Sequence, residues 1–253
     1  HAPVHWLTIQ EHFNDLVVST YGRAFWILDD ITPLQQLTDD VMASSGHLFQ
    51  PRPAYRFINK EGRVSQPEDP GAGRNPDFGA SIHYYLKEAV DGGVRVTILD
   101  ETGEEVARLG GASNTPGLHR VQWNLRYEAS RSPRMRTKVL EQAHVELGDD
   151  GWRPAGDGGR VSPMAPPGDY TVKMTMGDEE LTAPLTVLKD PSSAGSVADI
   201  RNQFEVILQI REEANAVADL INEAESIRAQ LADLERLIRG KEGAGGILEI
   251  AEE

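Results

Sequence analysis

Gly117-Leu118-His119-Arg120-Val121-Gln122-Trp123-Asn124, residues 117–124, reads as a β-strand by its period. Val121, Trp123 and Leu125 recur at every second position. Successive strand side chains point to opposite faces, so these three share an inward face and Trp123 is predicted to be core. The period of two continues on both sides, with strands predicted at 81–88, 94–100, 105–110, 117–125, 168–176 and 181–188. Asp100-Glu101-Thr102-Gly103 and Met176-Gly177-Asp178-Glu179 have the composition of hairpin connections. Pro167-Gly168 turns the chain into the strand that places Tyr170 and Val172. Six or seven short strands over about 100 residues predict a β-sandwich, here at 80–190. The exception is 128–166, which has little periodicity and is far longer than an ordinary connection.

Toward the N-terminus, Trp6-Leu7-Thr8-Ile9, Asp15-Leu16-Val17-Val18-Ser19-Thr20 and Ala24-Phe25-Trp26-Ile27-Leu28 are rich in apolar and β-branched residues, with a turn at Tyr21-Gly22-Arg23. They predict a β-meander, and so few strands cannot bury both faces unaided. Thr32-Pro33-Leu34-Gln35 predicts a capped helix start, with Thr32 as N-cap and a helix running to about Met42. Two prolines in Leu48-Phe49-Gln50-Pro51-Arg52-Pro53 then favour extended chain. Residues 59–79, rich in Gly, Pro and charge, predict a linker. The sequence opens at His1 in what already reads as mid-domain strand, the expectation for a processed product or an excised fragment.

Toward the C-terminus, residues 196–239 hold neither Gly nor Pro. Ser196 is placed to cap a helix over 195–240, Arg236 and Arg239 suit its negative end, and Gly240 is placed to stop it. Unbroken, such a helix is roughly 60 Å long. Its apolar positions are read as one stripe, with Ile200, Phe204, Ile207, Ile221, Leu231 and Leu234 as a helix interface. Between Ile221 and Ile227 the spacing slips to two successive threes, which predicts a local overwinding or a bend into a hairpin. Residues 241–253 predict a flexible tail.

A chain of 253 residues with 25 basic and 40 acidic side chains carries a formal charge of −15, which repels nucleic acid and anionic lipid surfaces. Zero cysteines exclude a disulfide framework, a zinc finger and a thiol nucleophile. No apolar run reaches the roughly 18 residues of a membrane span, so no membrane insertion is expected.

Asp15-Leu16-Val17-Val18-Ser19-Thr20-Tyr21-Gly22-Arg23-Ala24-Phe25-Trp26-Ile27-Leu28-Asp29-Asp30 resembles the closing blade of bacterial sortilin-type, BNR-repeat "glycosyl hydrolase-like" propeller proteins. The following Leu48-Phe49-Gln50-Pro51-Arg52-Pro53 and Gly73-Arg74-Asn75-Pro76 match that family's order. Val96-Thr97-Ile98-Leu99-Asp100 with Gly103, the stretch 117–124, and Pro167-Gly168-Asp169-Tyr170-Thr171-Val172 resemble the Ig-like domain of flagellar hook-capping type. Together the resemblances imply a mainly β protein with a helical C-terminal part. Residues 1–58 become a final propeller blade remnant, 80–190 an Ig-like β-sandwich, and 195–240 an amphipathic helix or hairpin. Trp26, Trp123, Tyr170 and Val172 are then structural core. The implied setting is a secreted or periplasmic bacterial protein. The propeller that would carry glycan-cleaving residues lies outside these motifs, so hydrolase activity is not implied for this chain.

Candidate chemistry is sparse, and no catalytic residue, cofactor or metal site is assigned. Asp29 and Asp30 are strand neighbours pointing to opposite faces, which reads as a turn or cap rather than a glycosidase acid pair. His1, His5 and His12 fit no ligand spacing. Gly71-Ala72-Gly73 and Gly156-Asp157-Gly158-Gly159 lack the context of phosphate loops. Arg131, Arg134, Arg136 and Lys138 form a basic run that is solvated, paired within the chain, or turned toward an acidic partner. The reading favoured here is a structural, protein-interaction region that packs beside the rest of its parent propeller, with a homo-oligomer possible through the helix. The alternative is an accessory module of a carbohydrate-active hydrolase with Trp152 as the glycan contact.

Overall fold

The computed structural model describes residues 2–57, 76–136, 146–149, 151–154 and 160–239. The predicted linker at 59–79 (apart from 76–79), Gly73-Arg74-Asn75, Lys138, Gly156-Asp157-Gly158-Gly159, His1 and the tail 241–253 lie outside the described residues. The chain is mainly β with a long C-terminal helix, and it divides into two compact units. The first unit comprises 1–128 and 164–204, the second 129–163 and 205–253.

In the first unit two sheets share one buried core, a sandwich only in the plain sense of two layers. One sheet orders β4 (Gly46–Leu48), β6 (Ala80–Leu86) and β9 (Gly117–Trp123). The other orders β5 (Ala54–Arg56), β13 (Glu179–Lys189), β12 (Gly168–Met176), β7 (Val94–Leu99) and β8 (Glu105–Leu109). Strict alternation makes the core: Ala80, Ile82, Tyr84 and Leu86 of β6 are buried while the residues between them are not, and β12 does the same with Tyr170, Val172, Met174 and Met176. Val121 and Trp123 join the same cluster, and Trp123 is 1 % exposed, as its period predicted. Its ring meets Tyr170 of the opposite sheet edge to face, with centroids 5.2 Å apart. The indole Nε1 donates to the Arg126 carbonyl at 3.0 Å. The Tyr170 hydroxyl donates to the Pro166 carbonyl at 2.9 Å. Leu125, also inward, is fully buried in a left-handed backbone at φ 56°, a strained state for a side chain branched like leucine's. Gly79, at φ 116°, lies so close to the Trp123 carbonyl that a Cβ there would sit 1.9 Å from its oxygen.

Two boundaries differ from the sequence reading. β4 pairs with β6, and β5 runs parallel to β13, so residues 46–56 belong to the sandwich rather than to the N-terminal piece. Their prolines and short apolar runs carry too little periodicity to show that pairing. The predicted helix from Thr32 is instead two short ones, α1 (Thr32–Gln36) and α2 (Asp39–Ala43). Ile31 rather than Thr32 is the N-cap of α1, because the Thr32 hydroxyl and Gln35 carboxamide both accept from Asn14 Nδ2 at 2.9 Å. The working cap is Thr38, whose side chain accepts from the Val41 amide at the start of α2.

The predicted meander is present as β1 (Val4–Gln10), β2 (Asp15–Thr20) and β3 (Phe25–Leu28), all antiparallel in sequence order. The long helix α3 (Val197–Ile238) is one continuous element, not a hairpin. Ser196 and Asp199 bond reciprocally at its start, each side chain accepting from the other's amide. In the first unit its opening turns bury Ile200 and lay Phe204 on Tyr127, with ring centroids 4.7 Å apart.

In the second unit, residues 130–136 run extended along α3. The amides of Arg131, Arg134 and Arg136 donate to Asn215 Oδ1, Asn222 Oδ1 and Glu225 Oε2 at 2.7, 2.7 and 2.9 Å. A short ribbon of β10 (Arg134–Met135) and β11 (Arg153–Pro154) continues from there. Ser130, fully buried, is held by Val161 through two bonds, Ser130 amide to Val161 carbonyl and Val161 amide to Ser130 hydroxyl.

Candidate interaction surfaces

The meander is where the sequence predicted it and its surroundings are not. Cross-strand register puts Leu7, Val18 and Trp26 in one row and Ile9, Leu16 and Leu28 in the next, so one face is apolar throughout. The other face holds Trp6, Val17, Phe25 and Ile27 with Thr8 and Ser19. Every residue of β1 and β3 is exposed, and Trp26, predicted as core, is 63 % exposed. That prediction fails for this chain because no second layer of the described residues covers either face. A sheet apolar on both faces is a middle layer by composition.

What anchors the meander is chemistry that the sequence reading passed over as a turn. Asp30 follows β3 at φ 51° and is 5 % exposed. Its amide donates to Asp15 Oδ1 at 2.9 Å, and its own Oδ1 accepts from the Thr32 amide at 3.2 Å. Its Oδ2 accepts no hydrogen bond and faces Arg52 Nε at 3.4 Å. The Arg52 guanidinium also lies over the Phe13 ring, 5.1 Å from its centroid. Tyr55 of β5 then contacts Phe13 and His12. Burial lowers the His83 pKa in this region, with Asp30 opposing that shift. The turn-or-cap reading of Asp30 therefore holds, with a buried ion pair added. The available signal was Arg52 itself, a cation set between Pro51 and Pro53.

Trp152 is half-buried in the second unit, and two guanidiniums lie at its ring, Arg136 at 4.5 Å and Arg134 at 5.0 Å from the centroid. Stacking of a sugar on that ring would compete with both. Arg131 pairs with Asp219 at 3.2 Å. Each described member of the basic run is thus engaged within the chain, Arg131 by a carboxylate and Arg134 and Arg136 by the Trp152 ring.

The six predicted helix-interface residues fall on two faces. Ile200 is buried and Phe204, Ile207 and Ile221 are half-buried, whereas Leu231 and Leu234 are each 49 % exposed. The slip in spacing near Ile221 and Ile227 is a crossing from one face to the other, so it marks no bend. The sequence reading missed Asn215, Asn222 and Glu225, which share the buried side with Ala218 and serve the extended segment's amides. Two asparagines seven residues apart in a run of better helix formers were the visible signal.

Among the described residues no group of three or more His, Asp or Glu could hold a metal ion. An open cleft of about 650 Å³ is lined by Ser45, Lys87, Glu88, Met176 and Glu179. There the Ser45 hydroxyl already donates to Glu179 and Lys87 Nζ to the Ala43 carbonyl. No described helix is long and apolar enough to cross a membrane. Comparison with known proteins finds no matching family model, no similar curated protein and no similar solved structure.

Proposed function

We propose that this chain is a non-catalytic structural and protein-interaction region of an exported bacterial propeller protein. In this reading β1–β3 belong to a closing blade, the sandwich is an Ig-like domain, and the rest of the parent propeller is the partner of the meander. The observation that carries the reading is the meander itself, three strands with apolar side chains on both faces, with β1 and β3 exposed throughout among the described residues. A blade packed between neighbouring layers needs that composition, and a free sheet does not tolerate it. The Ig-like assignment draws support from the Trp123–Tyr170 contact across the sheets and from the Tyr170 hydroxyl bonded back to Pro166. An accessory glycan-contacting role has less behind it, because Trp152 is already engaged by Arg134 and Arg136.

Hydrogen exchange on this chain alone and on the intact parent polypeptide tests the reading. Amides of β1 and β3 should exchange readily in the chain alone and gain strong protection in the parent. Equal exchange in both would remove the propeller as the partner. Robust turnover of model glycosides by the purified chain would remove the non-catalytic half.

A further inference from the structure

The exposed side of α3 carries a second apolar pattern, distinct from the buried one. Val206, Ile210, Glu213, Val217, Leu220, Ala224, Ile227, Leu231, Leu234 and Ile238 are spaced alternately by four and three with no interruption. Nine of these ten are apolar, and Val206, Ile210, Val217, Leu220, Ile227, Leu231 and Leu234 are between 49 and 66 % exposed. Alternation of three and four over more than four heptads is the signature of a two-stranded seam, and a helix packed once against its own domain has no use for it. The extended segment at 130–136 occupies a different face, through Asn215, Asn222 and Glu225. Among the described residues nothing covers the seam.

We propose that this seam is the interface of an antiparallel coiled coil between two copies of the chain. Charge selects both partner and direction. From 205 to 225 the helix carries six acids and one arginine, and from 226 to 239 three arginines and two acids. A parallel pair would lay the acidic halves side by side and set Glu213 against its own copy inside the seam. An antiparallel pair lays each acidic half along the other copy's more basic half. It also gives apolar layers of Val217 with Leu234, Leu220 with Leu231, and Ala224 with Ile227, each occurring twice by symmetry. Glu213 then meets Ile238 at the last layer, where water reaches it. The inference goes beyond the propeller reading above and does not depend on it.

The test uses the full chain in sedimentation equilibrium, with and without Leu220→Asp plus Leu231→Asp. A dimer at micromolar concentration, monomeric in the double variant with unchanged helical circular dichroism, is expected, since both leucines are exposed within one copy. A wild-type monomer, or a dimer that survives the double variant, overturns the proposal. Direction is read by oxidation, because the chain has no cysteine of its own. Chains with Leu220→Cys mixed with chains with Leu231→Cys should cross-link to each other. Leu220→Cys alone should not, because the two copies of that position lie about 16 Å apart along an antiparallel pair. Self-cross-linking of Leu220→Cys would show a parallel pair and overturn the antiparallel seam. Loss of the dimer leaves exchange protection of β1 and β3 in the parent untouched, so the two readings fail separately.

Discussion

Trp123 in the sandwich and Trp26 in the meander occupy similar strands with opposite outcomes. Both sit in apolar alternation, yet Trp123 is 1 % exposed and Trp26 63 % exposed. Around Trp123 a second sheet supplies Tyr170 and the surrounding aliphatic layer, whereas the rows beside Trp26 face nothing among the described residues. Alternation thus reports that a strand needs a covering layer, and it does not report whether that layer is in the same chain. The largest expected effect follows. Trp123→Ala should destabilise the chain by about 3–5 kcal/mol in chemical denaturation. Trp26→Ala should change stability by no more than about 0.5 kcal/mol in the chain alone. Equal losses would mean that the meander is covered within the chain and the contrast is false.

Between the two regions stands Arg52, which touches Phe13 of the β1–β2 connection and the buried Asp30 after β3. Removing one partner of a buried pair leaves an uncompensated charge, a loss of roughly 3–5 kcal/mol when both are fully buried. The Arg52 side chain is 27 % exposed, so Arg52→Met is expected to fall below that range, at about 2–3 kcal/mol. Asp30→Asn added to Arg52→Met should recover much of that loss, as a double-mutant cycle would show. Additive losses would mean that the ion pair does not fasten the meander.

The sandwich was legible because its strands alternate strictly and are separated by turn residues, as in β6 and β12. The start of α3 was legible for a similar reason, since Ser196 and Asp199 sit at capping distance in sequence. What escaped depended on partners distant in sequence. Thr32 looked like a cap until Asn14 competed for its hydroxyl. β4 and β5 are three residues each, too short to show a period, and they are strands because β6 and β13 supply hydrogen bonds. On α3 two apolar faces, each regular, were summed into one irregular stripe. Assigning positions to separate heptad rows would have parted Ile221 from Leu231 without any structure. The Gly-rich surroundings of Trp152 suggest a ring free for a glycan, yet the arginines that engage it lie in the same long loop.

The extended segment at 130–136 gives a smaller effect, confined to one place. Asn222→Ala removes the acceptor of the Arg134 amide, a bond whose net worth is about 1 kcal/mol. Ala also raises helix propensity by about 0.6 kcal/mol, so global stability should change little. Exchange should still report it, with the Arg134 amide losing protection while amides of β6 and β12 keep theirs. Spread of the loss into the sandwich would mean that the segment supports more than its own contacts.

The turns extend the same contrast at the lowest energies. The β2–β3 connection of the meander relies on Gly22 and on the Thr20 hydroxyl donating to the Ala24 carbonyl, with no ionisable group in those bonds. The β7–β8 connection of the sandwich is built on Asp100, whose Oδ1 accepts from the Thr102 amide, the Thr102 hydroxyl and the Glu104 amide at 2.9, 2.7 and 3.1 Å. Slight burial works to raise the Asp100 pKa, but these bonds to the ionised form outweigh it and hold it below the usual carboxylate value. A carboxyl whose folded pKa is depressed contributes stability that is present above its unfolded pKa, near 4, and lost as pH falls through the folded value. Sandwich stability should therefore decline below about pH 4 in part through Asp100. Asp100→Asn should remove that part of the pH dependence while lowering stability at neutral pH by about 1 kcal/mol or less, because water reaches the turn. Denaturation of wild type and Asp100→Asn between pH 2.5 and pH 7, read by Trp123 fluorescence in a background with Trp6, Trp26 and Trp152 all replaced by Phe, resolves the two slopes. Parallel curves would show that the turn's bonds to the carboxylate contribute nothing to the fold.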